Sequence, residues 1–314
     1  MHKPFTSIDD QISLLESRGV VCDNSTATAL MREGYYSVVN GYKDPFLDNE
    51  ASAAAGDDRF LPGTRFDNIL GLFDFDRRLR FSVFKALTLA EAVLRTTCAY
   101  CFSQDHRGEP NAYLIRENLF QPPSERRDIV TGMMHTMRKI IDNGGRDPEK
   151  GGKGYLHHCL TRHDGEVPLW VLTNDMSIGQ ITTFYRIMSP AERGAVARQF
   201  EFLYSKSHRK PMTITSAKLD AIYSRIKNFR NICAHDERLY CARPFGLNNS
   251  LFQLIQDLQL VLTKKDHREF LQQIESLMLY ITKKLPNIAP QVFESMGVGN
   301  LEDYRAYMES LRRS

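Results

Sequence analysis

The stretch of this chain best equipped to do chemistry is Arg230-Asn231-Ile232-Cys233-Ala234-His235. Cutting RNA needs neither a metal nor a protein nucleophile. The ribose 2′-hydroxyl, which DNA lacks, attacks the neighbouring phosphate once a base takes its proton and a cation steadies the added charge. A histidine with an ordinary pKa of about 6.5 serves as base or acid near neutral pH, help typically worth about 10²- to 10⁴-fold. The planar, permanently charged fork of Arg230 suits phosphate oxygens and the charge that builds on them. Asn231 is placed to orient the phosphate or the histidine. A plainer reading makes Arg230 a surface charge and His235 a helix C-terminal histidine favoured by the macrodipole. An Arg-x4-His pair arises by chance about once in a chain of this composition, so the bare pattern does not decide between them.

The elements that must position these residues are helical. Leu219, Ile222, Ile226, Phe229 and Ile232 recur at the three-and-four spacing of an amphipathic helix with one buried stripe, which sets the motif at its end. Residues five positions apart are separated by about 140° of rotation, so Arg230 and His235 do not converge in a straight helix. Either the helix distorts there or a second copy supplies the opposing groups. A capping box at Thr64 and Asp67 opens a helix that nothing stronger than Gly71 interrupts before Phe102, a spine approaching about 50 Å. Arg77, Arg78 and Arg80 form a basic patch on it, either a solvated, salt-bridged face or a phosphate contact. Glu91 and Arg95 are spaced for an i,i+4 ion pair.

Arg230 to His235, followed by Arg238, resembles the Arg-x4-6-His motif of HEPN ribonucleases, and within that superfamily the Abi-like (AbiD/AbiF) abortive-infection family. Other blocks agree in order. Lys3-Pro4-Phe5-Thr6-Ser7, Gln11-Ile12, Arg18-Gly19 and Tyr35-Tyr36 through Gly41-Tyr42 to Pro45-Phe46 are similar to the family's opening. Phe75-Asp76-Arg77-Arg78-Leu79-Arg80 and Glu91-Ala92-Val93-Leu94-Arg95 are similar to its central helix, and Pro168-Leu169-Trp170-Val171 with Ser177-Ile178-Gly179 to its third block. The likeness spans residues 3 to about 243. It departs at Thr173-Asn174-Asp175, where the family tends to carry an acid, and at Leu239 to Arg243, where it often has an aromatic-Asn-Arg run.

The resemblance implies an all-α, HEPN-type helical bundle with an N-terminal helical extension. It also implies a homodimer whose two motifs face one cleft, metal-independent RNA cleavage, and a role in stopping phage. A structured noncoding RNA is implied as a regulator besides the substrate RNA. His235, Arg230 and Asn231 become the expected catalytic residues. Arg77, Arg78, Arg80, Lys227 and Arg238 are expected to contact RNA, and Glu91 and Arg95 to support the catalytic groups. The alternatives are a noncatalytic module that holds structured RNA in the same cleft, and nucleotidyl transfer, which needs nucleotide and a divalent metal.

The remaining features bound these readings. A chain of 314 residues, 42% hydrophobic, buries a substantial core. A net charge of +3 does not by itself mark a nucleic-acid binder. Six scattered cysteines, no signal-like apolar run in residues 1–25 and no stretch near the roughly 20 apolar residues of a membrane span predict a cytoplasmic chain with reduced thiols and no membrane partner. Cys98 and Cys101, with His157, His158, Cys159 and His163, invite a zinc reading. Without a second Cys-x2-Cys, two buried thiols are expected, and neither a metal nor a cofactor.

The expected division is a helical region and linker over 1–60, a helical domain carrying the motif over 61–285, and a C-terminal segment over 286–314. Within it, 44–63 and 143–154 are expected as loops. One helix is expected over 166–188 with Trp170 in the core, and 264–268 is expected as a charged turn. The tyrosines of 35–42 are expected to pack, with stacking on unpaired bases as the other option.

Overall fold

The computed structural model describes residues 5–244, 246 and 249–312, so Lys3 and Pro4 lie outside the described residues. In chain order the helices are α1 (Ile8–Ser17), α2 (Thr26–Glu33), α3 (Asn49–Ala55), α4 (Phe66–Asp105), α5 (Ile129–Gly144), α6 (Gly154–Arg162) and α7 (Leu169–Leu172). They continue as α8 (Ile178–Ile187), α9 (Pro190–Ser207), α10 (Ser216–Ala234), α11 (Leu251–Leu258), α12 (Lys264–Lys284), α13 (Ala289–Met296) and α14 (Leu301–Arg312). Among the described residues there is no strand, only the isolated bridges Val21–Arg65 and Leu47–Phe60, and the fold is all-α. No helix among them is long and apolar enough to cross a membrane.

The chain packs as two units. One comprises the described residues within Met1–Phe84, Ile232–Gln253 and Glu269–Arg313, and the other Lys85–Asn231 and Leu254–Arg268. The stretches 1–60 and 286–314, separate in a linear division of the sequence, therefore belong to one unit. Helices α4, α10, α11 and α12 contribute residues to both.

The spine helix forms as its pattern requires. Leu72, Phe75, Leu79 and Val83 in the first unit, and Leu87, Ala90, Leu94 and Cys98 in the second, are all 0% exposed at three- and four-residue spacing. Each such large side chain contributes about 1.5–3 kcal/mol by leaving water. The Thr64 hydroxyl donates to the Leu61 carbonyl, and Asn68 Oδ1 accepts from the Arg65 amide, so the cap is built one register away from the Thr64–Asp67 box. At the start of the chain the expected box does form: Ser7 and Asp10 exchange bonds, and Gly19, at φ 95°, follows the end of α1.

Several expectations are corrected. Residues 44–63 hold α3, capped by Asp48 at the Ala51 amide, between buried Phe46 and Phe60. The loop expected beyond α5 is present and closes on itself: Gly152 donates to Asp147 and Lys153 to Gly144, so tightly that a Cβ on Gly152 would fall 1.8 Å from the Arg146 carbonyl oxygen. The stretch 166–188 is two helices, because Thr173–Asp175 tightens into a 3-10 turn and a Ser177–Gln180 capping box restarts the chain as α8. Trp170 is 60% exposed, while its neighbours Leu169 and Leu172 take the buried positions. Residues 264–268 are the first turns of α12, entered through a Thr263–Asp266 cap, and His267 is buried there with Nε2 3.0 Å from the Ile255 carbonyl.

Candidate functional site

Arg230 belongs to the second unit. α10 buries Leu219, Ile222, Ile226 and Phe229, and the Tyr223 hydroxyl donates to the Ala90 carbonyl at 2.8 Å, tying α10 to α4 beside Glu91. Glu91 is 4% exposed, and its carboxylate lies between two guanidinium groups. Arg95 pairs with Oε1, and Arg230 Nε stands 3.7 Å from Oε2. Arg95 also donates to the Met176 carbonyl at 2.6 Å, which pins it at the break before α8. Glu91 and Arg95 thus form the expected i,i+4 pair, and the same acid reaches the arginine of the motif. Asn231 is exposed.

His235 belongs to the first unit and is exposed, immediately after the last residue of α10. The helix ends in a six-to-one closure: the Glu237 amide donates to the Ile232 carbonyl at 3.1 Å, and Asp236 takes the left-handed conformation at φ 57°. His235 is therefore the C-cap residue of that closure. A left-handed non-glycine residue costs about 1–2 kcal/mol, least for Asp and Asn. Here an ion pair between Asp236 Oδ1 and Arg80 Nη2, at 2.5 Å, offsets it.

The hook after His235 is fastened from below. Asp76, 0% exposed, accepts from the Tyr42 hydroxyl at 2.7 Å, Arg80 Nη1 at 2.7 Å, the Leu239 amide at 2.9 Å and the Tyr240 amide at 2.8 Å. Arg80 Nη1 also reaches the Glu237 carbonyl at 3.3 Å. Burial pushes the Asp76 carboxyl above its ordinary range, opposed by Arg80 and the two amides. Within the motif, burial pushes the Cys233 thiol up to about 12, so this thiol stays protonated at neutral pH and is no nucleophile.

The residues expected to contact RNA differ in exposure and in what they already bond. Arg80 is 2% exposed and committed to Asp76 and Asp236, which corrects its assignment as a phosphate contact. Arg77 pairs with Glu33 and lies over the Phe73 ring at 4.4 Å, while Arg78 is exposed and lies over the Tyr280 ring at 4.8 Å. Arg238, 42% exposed, bonds the Gly41 carbonyl and Asp44. Lys227 is half-buried on α10. Beside the hook, a cleft of about 570 Å³ is lined by Tyr36, Asn40, Phe73, Asp236, Arg238 and Arg243 among others. Of the tyrosines, Tyr42 packs at 3% exposure and Tyr36 stands out at 78%.

Sequence reasoning gave no site role to Tyr42, Asp76 or Asp236. One signal was present for Asp76: it sits on the same helical face as Leu72, Phe75, Leu79 and Val83, where an acid needs partners. Among the described residues no group of three or more His, Cys, Asp or Glu is arranged to hold a metal ion, and Cys98 and Cys101 are buried free thiols.

Fold and site together define an all-helical protein in which an Arg-x4-His helix end is anchored by two buried acids of one long helix. The chain belongs to the Abi-like family: the family model described as Abi-like protein matches residues 28–241, more than half of it, including the motif. No curated protein and no solved structure matches the chain.

Proposed function

We propose that this Abi-like protein acts in abortive infection as a metal-independent endoribonuclease of the HEPN type in the cytoplasm, working as a homodimer. His235 takes or returns the proton of the ribose hydroxyl, and Arg230 stabilises charge on the phosphate. Asn231 orients one of them, and two copies of the motif face one RNA strand. A structured noncoding RNA bound to the same protein restrains it.

The observation that carries this reading is the treatment of the motif's two ends. His235 is left in water on a hook locked by Asp76 and Arg80, and Arg230 is aimed by a buried Glu91 shared with Arg95. A helix end without a task needs neither buried acid, since each costs desolvation that only its specific partners recover. Preorganised groups of this kind are what charge stabilisation in a transition state requires.

The test uses purified protein and RNA. Cleavage should persist in EDTA, leave 5′-hydroxyl and 2′,3′-cyclic phosphate ends, and vanish in His235→Ala and Arg230→Ala, together with growth arrest. Unchanged cleavage by His235→Ala would sink the assignment. RNA recovered intact, and bound equally by wild type and His235→Ala, would favour a noncatalytic RNA-binding module. A requirement for nucleotide and divalent metal would favour nucleotidyl transfer.

A further inference from the structure

We propose that the cleft beside the hook is a subsite for one unpaired nucleotide of single-stranded RNA, with its base stacked on Tyr36 and its phosphate held by Arg238 and Arg243. This rests on the reading above in taking RNA as the ligand, and adds where and how a nucleotide is gripped.

Three observations carry it. The first is the turn that presents Tyr36. Tyr36–Asn40 is a π-helical turn, a conformation that recurs at functional sites because its extra residue displaces side chains from the regular helical register. Val38 and Val39 of the turn are 0% and 1% exposed, so it is anchored in the core, yet Tyr36 in the same turn is left 78% exposed at the cleft. An aromatic ring held on a fixed backbone with its face in water is a stacking platform for any base.

The second is the cleft's size. About 570 Å³ lies within the usual range for small-ligand sites, roughly 300–1,000 Å³, and accommodates a single nucleotide.

The third is the distribution of charge. Arg238 spends Nη1 on Gly41 and Asp44, while Arg243 spends Nη1 on the Ala242 carbonyl and Nη2 on the Glu294 carbonyl. A guanidinium has five N–H donors, so each keeps others for phosphate oxygens. Asp236, also in the lining, is occupied by Arg80, whereas the Glu237 carboxylate repels phosphate and accepts from the amino group of a base. A cleft lined by both cations and an acid suits a nucleotide, with its phosphate and its base amino group, better than a run of phosphates.

The experiment measures binding of a short fluorescent single-stranded RNA by anisotropy, with full-length protein carrying His235→Ala so that no substrate is consumed. Adding Tyr36→Ala should weaken binding about 5- to 100-fold, the effect of losing one stacked base, whereas Tyr36→Phe should stay within about twofold. Binding of the same sequence as a duplex should not respond to either. Unfolding midpoints verify that each variant is folded. Tyr36→Ala binding within twofold of its parent, Tyr36→Phe as damaging as Tyr36→Ala, or no binding by the parent would each overturn the subsite. Cleavage by wild-type protein of the same oligonucleotide is scored separately. Tyr36-dependent binding without cleavage upholds the subsite and removes only the catalytic reading. Cleavage with Tyr36-independent binding removes only the subsite.

Discussion

Helix α4 carries the same device twice, an acid followed four residues later by an arginine, and the two copies serve different ends. Asp76 with Arg80, in the first unit, is turned on main chain: it takes the amides of Leu239 and Tyr240 and fixes the path of the hook after His235. Glu91 with Arg95, in the second unit, is turned on a side chain: its other oxygen faces Arg230. A bond to backbone constrains where a segment runs, so its loss should be felt as stability. A bond to a guanidinium constrains where a charge points, so its loss should be felt first as activity.

The largest expected effect tests the first half of that contrast. Asp76→Asn takes from the buried Arg80 the one acid that is buried with it, leaving only the exposed Asp236, which should cost about 3–5 kcal/mol in urea unfolding, with RNA cleavage falling alongside. A loss below about 1 kcal/mol would mean the hook is held by something other than this acid.

The next effect lies in the second unit and is read through pH. Burial pushes the His267 imidazole down to about 4, opposed by its bond to the Ile255 carbonyl. A folded pKa below the unfolded value of about 6.5 means the unfolded chain binds the extra proton. The contribution of His267 is therefore complete above about pH 6.5 and is lost as pH falls towards 4. Between pH 7.5 and 5 wild type should lose about 2 kcal/mol more than His267→Gln, with hydrogen exchange rising at α11 and α12. Equal losses in the two proteins would refute it.

Glu91→Gln should cost only about 1 kcal/mol of stability, because the amide oxygen still accepts from one arginine and both Arg95 and Arg230 are partly open to water, yet lower RNA cleavage at least about tenfold. Stability and activity lost in the same proportion as in Asp76→Asn would erase the distinction between the two acids. Smallest of all, Trp170→Ala should shift unfolding by about 0.5 kcal/mol or less, as befits a side chain 60% exposed. A loss of several kcal/mol would return Trp170 to the core.

Much of this was legible in the sequence. The stripe Leu219 to Phe229 marked α10, the absence of any strong breaker from Asp67 to Phe102 marked α4, and the spacing of Glu91 and Arg95 marked their pair. These are local regularities, set by residues within a turn or two of each other. The errors came where local pattern is silent. Trp170 is as hydrophobic as its neighbours Leu169 and Leu172, and which side of this short helix is covered depends on what packs against it. His267 lies in a charged run whose composition predicts a turn, although its Nε2 finds a buried carbonyl.

By itself the sequence determined that the chain is helical, which faces are apolar, where the Arg-x4-His pair falls and which family it belongs to. Tertiary structure alone decided what each charge is for. Asp76 meets the Leu239 amide 163 residues further along, and Arg80, one of three arginines that looked alike, is the one withdrawn from solvent. A periodicity records how a side chain relates to its own helix. The partner of a buried charge is chosen by desolvation, which depends on whatever distant segment is packed against it.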